Sequence, residues 1–151
     1  MSEIGSIGEV LELAIIRELQ AADFYMTLQT RAVDPALQSV LEQLANAELE
    51  HKARLELEMM KEGIVAKTVD NFVDFGLPDY SQDLDLAPDG SVADALVVGM
   101  EKERRAFRFY VDFAGIVREE EVHGMLVELA EEEARHLIWL EMEYNKLAGG
   151  Q

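Results

Sequence analysis

Glu48-Leu49-Glu50-His51 is followed 85 positions later by Glu133-Ala134-Arg135-His136. The same offset carries Glu18 to Glu103 and Phe24-Tyr25 to Phe109-Tyr110, with no gap. Matching residues therefore recur in two halves of one chain, and the recurring letters are glutamate, histidine and tyrosine. Residues i and i+3 share a helix face, so each E-x-x-H on a helix presents a carboxylate and an imidazole side by side.

The sequence around these motifs is helical in period. Four long segments, roughly 6–31, 35–62, 91–116 and 119–148, carry apolar residues at alternating spacings of three and four, the seam of a bundle helix. The first seam reads Leu11, Ile15, Glu18, Ala22, Tyr25, and the third reads Leu96, Met100, Glu103, Phe107, Tyr110. The second reads Leu37, Leu41, Leu44, Glu48, His51, Leu55, and the fourth Val122, Leu126, Leu129, Glu133, His136, Leu140. All six candidate ligands thus fall inside apolar seams, where a solvated acid does not belong.

Helices of this size span about 40 Å. A short break near Val33-Asp34-Pro35, with Asp as cap and Pro in the first turn, joins the first pair, and a break from Gly115 to Glu119 joins the second. Short connections make antiparallel hairpins. The expected fold is all-α: an antiparallel four-helix bundle of two hairpins (about 6–62 and 91–148) joined by a long crossover, 63–90, in a single domain over 1–151. The crossover is marked by Gly63, Gly76, Pro78, Pro88 and Gly90, and its Phe72, Val73, Phe75, Leu77 and Tyr80 are expected against the bundle side. Ser91 is placed to cap the third helix, and Gly149-Gly150-Gln151 reads as a frayed end.

Composition narrows the function classes. The chain has 151 residues, 49% of them hydrophobic, enough for a real core without staples. It has no cysteine, which excludes thiolate metal sites and disulfides. A net charge of −18 argues against nucleic acid or an anionic membrane as partner, since both demand a basic footprint. No apolar run is long enough to cross a bilayer, and the N-terminus lacks the basic and apolar regions of a signal peptide. A cytoplasmic location is expected.

Burying four carboxylates without compensation costs several kcal/mol each or forces protonation. Two divalent ions balance the four charges, and the set Glu18, Glu48, His51, Glu103, Glu133 and His136 matches the ligand arrangement of di-iron and di-manganese bundles. With oxygen and nitrogen donors and no sulfur, iron or manganese fits best; zinc would bind without redox chemistry. One E-x-x-H per metal with two bridging glutamates is expected, the bridging pair being open. Tyr25 and Tyr110 lie seven residues beyond Glu18 and Glu103, in reach of a ligand carboxylate; ordinary core aromatics with a polar tip is the alternative. A third pair, Glu120 and His123, has Pro35 and Gln38 as its counterparts and reads as a surface pair at a helix start.

On Glu18…Phe24-Tyr25, Glu48-x-x-His51, Glu103…Phe109-Tyr110, Glu133-x-x-His136 and the long crossover, the chain resembles the ferritin-like superfamily, and within it the rubrerythrin-like proteins, over essentially its whole length. The resemblance implies a left-handed ferritin-like bundle with a carboxylate-bridged di-iron centre held by those six residues. It also implies a homodimer or larger homo-oligomer, and redox chemistry with peroxide or dioxygen. Three departures accompany it. Full-length rubrerythrins carry a rubredoxin-like domain with four cysteines; this chain has none, so an external electron donor protein is expected. They also carry an extra glutamate one turn along the third helix, where this chain has Met100 and Ala106 around Glu103. Bacterioferritins place a haem-binding Met after the second-helix Glu; here Leu49 stands there, and no haem is expected. The expected function is a di-iron oxidoreductase of peroxidase or ferroxidase type. Non-catalytic iron storage is the alternative, with a plain structural bundle as a third reading.

Overall fold

In the computed structural model, residues 7–61 and 90–149 are described, and they form four helices: α1 (Ile7–Arg31), α2 (Pro35–Met60), α3 (Val92–Ile116) and α4 (Glu120–Gly149). Their starts follow capping chemistry. Asp34 accepts from the Ala36 backbone N–H at 3.2 Å with Pro35 in the first turn, and Ser91 accepts from Asp94 N–H at 3.0 Å. Glu119 accepts from Val122 N–H at 2.7 Å ahead of α4. Each cap satisfies a donor that has no partner within the helix. The break between α3 and α4 is Val117–Glu119, later than expected, because Gly115 continues the helix. The expected crossover lies outside the described residues, apart from Gly90.

α1 packs along α2 and α3 along α4, and the hairpins meet through α1 against α3 and α2 against α4. Cross-hairpin bonds set the directions. Tyr25 reaches Glu103 while Tyr110 reaches Glu18, so α1 and α3 run antiparallel. His51 reaches Glu132 and Lys61 reaches Glu121, so α2 and α4 do too. Equivalent residues of the two hairpins exchange places in this arrangement, which makes the sequence duplication a spatial pseudo-twofold.

The core is split in two. One apolar cluster contains Leu11, Leu55, Tyr110, Phe113, Leu126 and Leu129. The other contains their 85-offset equivalents, Leu96, Leu140, Tyr25, Leu28, Leu41 and Leu44. Burying each such side chain contributes about 1.5–3 kcal/mol. Between the two clusters lies the polar layer formed by the glutamates and histidines.

The expected seams are buried apart from Ile15, which is partly buried, and Phe107. Phe107 is 40% exposed, whereas its equivalent Ala22 is fully buried. Phe107 stands four residues from Glu103, and neighbouring Phe109 takes the interior place against Tyr110 and Phe113. At this turn Phe109 and Tyr110 fill the interior beside α3 as Phe24 and Tyr25 do beside α1, and the place that takes in Ala22 leaves the larger Phe107 ring partly out.

Of Glu120 and His123, the histidine has a structural role. His123 Nδ1–H donates to the Ala114 carbonyl at 2.7 Å, binding the end of α3 to the start of α4. Gln38, its equivalent, donates to the Ala32 carbonyl at 2.6 Å and does the same for α1 and α2. The pair lies exposed at the start of α4, as expected, and its histidine makes the same kind of bond as the glutamine at the equivalent place.

Candidate metal centre

The six seam residues converge at mid-bundle. Glu18 comes from α1, Glu48 and His51 from α2, Glu103 from α3, Glu133 and His136 from α4, and none is more than 8% exposed. The i,i+3 spacing turns each imidazole onto the carboxylate of its own helix: His51 Nδ1 lies 3.1 Å from Glu48, and His136 Nδ1 lies 3.1 Å from Glu133. His51 Nδ1 also lies 3.5 Å from both Glu18 and Glu133. His136 Nδ1 lies 3.6 Å from Glu103 and 3.4 Å from Glu48. The two rings stack with centroids 5.8 Å apart and planes 10° from parallel.

Two overlapping groups can each hold an ion, with donor atoms within 4.8 Å of one another: Glu18, Glu48, His51, Glu133, and Glu48, Glu103, Glu133, His136. Glu48 and Glu133 belong to both. The carboxylates positioned to bridge are therefore those of the E-x-x-H motifs, a point the spacing left open.

The electrostatics are those of an uncompensated acidic cluster. Burial, then the neighbouring carboxylates, push Glu48 and Glu133 well above the usual carboxylate range. Burial works the same way on Glu103, but hydrogen bonding to His136 prevails and holds it below that range. For the histidines burial opposes the charged ring, yet bonding to the surrounding glutamates wins: His51 is raised, and His136 is pushed up to about 12. Protons are thus held where cations fit. Four buried atoms of the centre nevertheless lack a well-formed hydrogen bond: Glu18 Oε1, Glu48 Oε1, Glu103 Oε1 and His51 Nδ1. Buried polar atoms are rarely left so. Oxygen and imidazole donors in this number are what a pair of divalent first-row ions takes up, so the residues fit a metal.

Both tyrosines hydrogen-bond a carboxylate of the opposite hairpin, Tyr25 to Glu103 and Tyr110 to Glu18. Burial first, then nearby glutamates, raise both phenols well above their ordinary value, so each hydroxyl stays protonated and donates. Each tyrosine serves the glutamate of the other half, which a count of two turns along one helix does not show.

Glu132 had no signal in the repeat, because its equivalent is Ala47. Its Oε1 accepts from His51 Nε2–H at 2.6 Å, and Arg54 Nη1 approaches its other oxygen at 3.5 Å. Burial opposes ionisation of Glu132, but His51, Arg54 and Arg135 hold it below the usual carboxylate range. Lys102 was also unforeseen: it is buried, with its ammonium 5.1 Å above the Phe24 ring, and the 85 offset from Arg17 would have flagged a repeated cation.

A cavity of about 20 Å³ reaches the carboxylates from the α1–α3 side, away from the histidines. Arg17, Gln20 and Ala21 line it from α1, and Lys102, Ala106 and Phe109 from α3. No described helix is long and apolar enough to cross a membrane.

Comparisons with known proteins agree with this fold. A hypothetical protein from Pyrococcus furiosus has a similar structure, with a TM-score of 0.75 and 26% sequence identity over 94% of this chain and 90% of that one. No curated protein matched the sequence. The family model described as Rubrerythrin matches residues 9–137, the span that holds all six converging residues and both tyrosines. The chain belongs to the rubrerythrin family.

Proposed function

We propose that this protein is a di-iron oxidoreductase that reduces peroxide or dioxygen. One iron is held by Glu18, Glu48, His51 and Glu133, the other by Glu48, Glu103, Glu133 and His136. The observation that carries the reading is the pair of donor groups sharing Glu48 and Glu133. It makes a site for two adjacent ions rather than two separate sites. Iron supplies reversible one-electron chemistry at each position, and so a two-electron reduction between them.

The chain's own residues do the rest. Tyr25 and Tyr110 hold Glu103 and Glu18 in place and keep their protons while doing so. The apolar clusters on either side keep bulk water out. The cavity between α1 and α3 exceeds the roughly 10–15 Å³ that one water needs, which leaves room for a molecule as small as dioxygen or peroxide. Arg17 and Lys102 place positive charge beside that route in an otherwise acidic protein. On this reading the electrons come from a separate donor protein.

The test is to load metal-free protein anaerobically with Fe(II), measure the stoichiometry, and follow absorbance after adding H2O2 or O2. Two irons per chain and rapid oxidation by either reagent are expected. Uptake well below two irons sinks the reading, and two irons that react with neither reagent favour an iron-holding role.

A further inference from the structure

The two halves of the centre are matched in their converging residues and unmatched just behind them. His51 and His136 present Nδ1 to the carboxylates at closely similar distances. Behind His51 stands Glu132, at 2.6 Å from Nε2. Arg54 bridges Glu132 and Glu128, at 3.5 and 2.6 Å. Under the 85 offset the equivalents of Glu132, Arg54 and Glu128 are Ala47, Trp139 and Gln43. An alanine offers no side-chain acceptor, so among the described residues this acid–base chain exists on one side only.

This difference has a direct chemical effect. A carboxylate accepting from the far nitrogen fixes the tautomer, with the proton on Nε2 and the lone pair on Nδ1. It also raises the basicity of that lone pair and locks the ring's rotation. Loss of such a partner costs about 10–100-fold in metal affinity.

Building on the two-ion reading above, we infer that Glu132, steadied by Arg54, is a positioning residue for His51 and makes the two metal positions unequal. The position of Glu18 and His51 is the tight one, filled first. The position of Glu103 and His136 is the weak one, and the first to lose its ion. A centre built by duplication thereby acquires a resident metal and an exchangeable one.

The test is an anaerobic titration of metal-free protein with Co(II), read by visible absorption and by calorimetry, comparing wild type with Glu132→Gln and Arg54→Ala. Wild type is expected to bind two ions in two resolved steps. In Glu132→Gln the tight step weakens about 10–100-fold, its absorption bands shift, and the weak step stays put. Arg54→Ala moves the same step in the same direction by less. A purely structural role would weaken both steps together, so thermal melting of the metal-free variants serves as the control for folding. Two ions bound in one unresolved step by wild type, or a Glu132→Gln titration unchanged or weakened equally in both steps, overturns this inference and leaves the two-ion site standing. No Co(II) bound by wild type overturns both.

Discussion

Tyr25 on α1 donates its phenolic hydrogen to Glu103 on α3, so a residue of the first hairpin holds a candidate ligand of the second. Tyr110 returns the bond to Glu18. The two bonds are exchanged by the pseudo-twofold, and they tie metal geometry to hairpin docking. Tyr25→Phe leaves a buried carboxylate oxygen without its donor, which costs about 1–3 kcal/mol. Thermal melting of the metal-free variant should fall by several degrees, and Tyr110→Phe should match it. An unchanged melting temperature in both would show that these bonds hold nothing.

The shared carboxylates separate two kinds of ligand loss. Glu48 belongs to both donor groups, whereas His136 belongs to one. Glu48→Ala should therefore weaken both metal positions, and His136→Ala should leave one ion bound tightly. Metal analysis after gel filtration reads the difference. Equal losses in the two variants would contradict the bridging assignment.

Protonation sets the pH dependence. His136 is pushed from an ordinary value near 6.5 up to about 12 by its glutamate partners, and His51 is raised as well. A group bound more tightly to its proton in the folded state stabilises the fold fully below the unfolded value, and that contribution declines as pH rises toward the folded one. The raised Glu48 and Glu133 act in the same sense. Metal-free protein should thus lose thermal stability as pH is raised from about 6.5. Metal must displace these protons, so its apparent affinity should rise about tenfold per pH unit for each proton released. Melting curves at pH 6 and 9, with and without Zn(II), check both signs; metal affinity independent of pH would refute the displacement.

Phe107 and Phe109 are two residues apart and should behave differently. Phe107 is 40% exposed, and Phe109 is only 2% exposed. Phe109→Ala should cost about 3–5 kcal/mol, and Phe107→Ala about 1–2 kcal/mol, measured by urea unfolding of the metal-loaded protein. A large loss in Phe107→Ala would return that residue to the core.

The hairpin clamps should matter for stability and not for metal. His123→Ala and Gln38→Ala each remove one bond to a helix-terminal carbonyl, worth about 1 kcal/mol. Both variants should bind metal as wild type does. A fall in stoichiometry in His123→Ala would instead make it a ligand.

The sequence by itself determined the bundle and the converging residues. Periods of three and four set four helices, Asp34-Pro35 and Ser91 set two of the helix starts, and one offset picked out Glu18, Glu48, His51, Glu103, Glu133 and His136. Those signals are local or repeated, so each is readable without knowing what lies opposite. The Phe107 misplacement shows the limit of a seam: equivalent places bury the small Ala22 and leave the Phe107 ring 40% exposed. Tertiary structure alone decided which glutamates are shared and which tyrosine serves which carboxylate. It also decided that Glu132 stands behind His51. These are contacts between residues 78 to 92 apart in sequence, and Glu132 has no counterpart in the repeat, so nothing along the chain marks it. Its meaning comes only from the antiparallel packing of α2 on α4, which puts a lone carboxylate where the other half of the molecule has a methyl group.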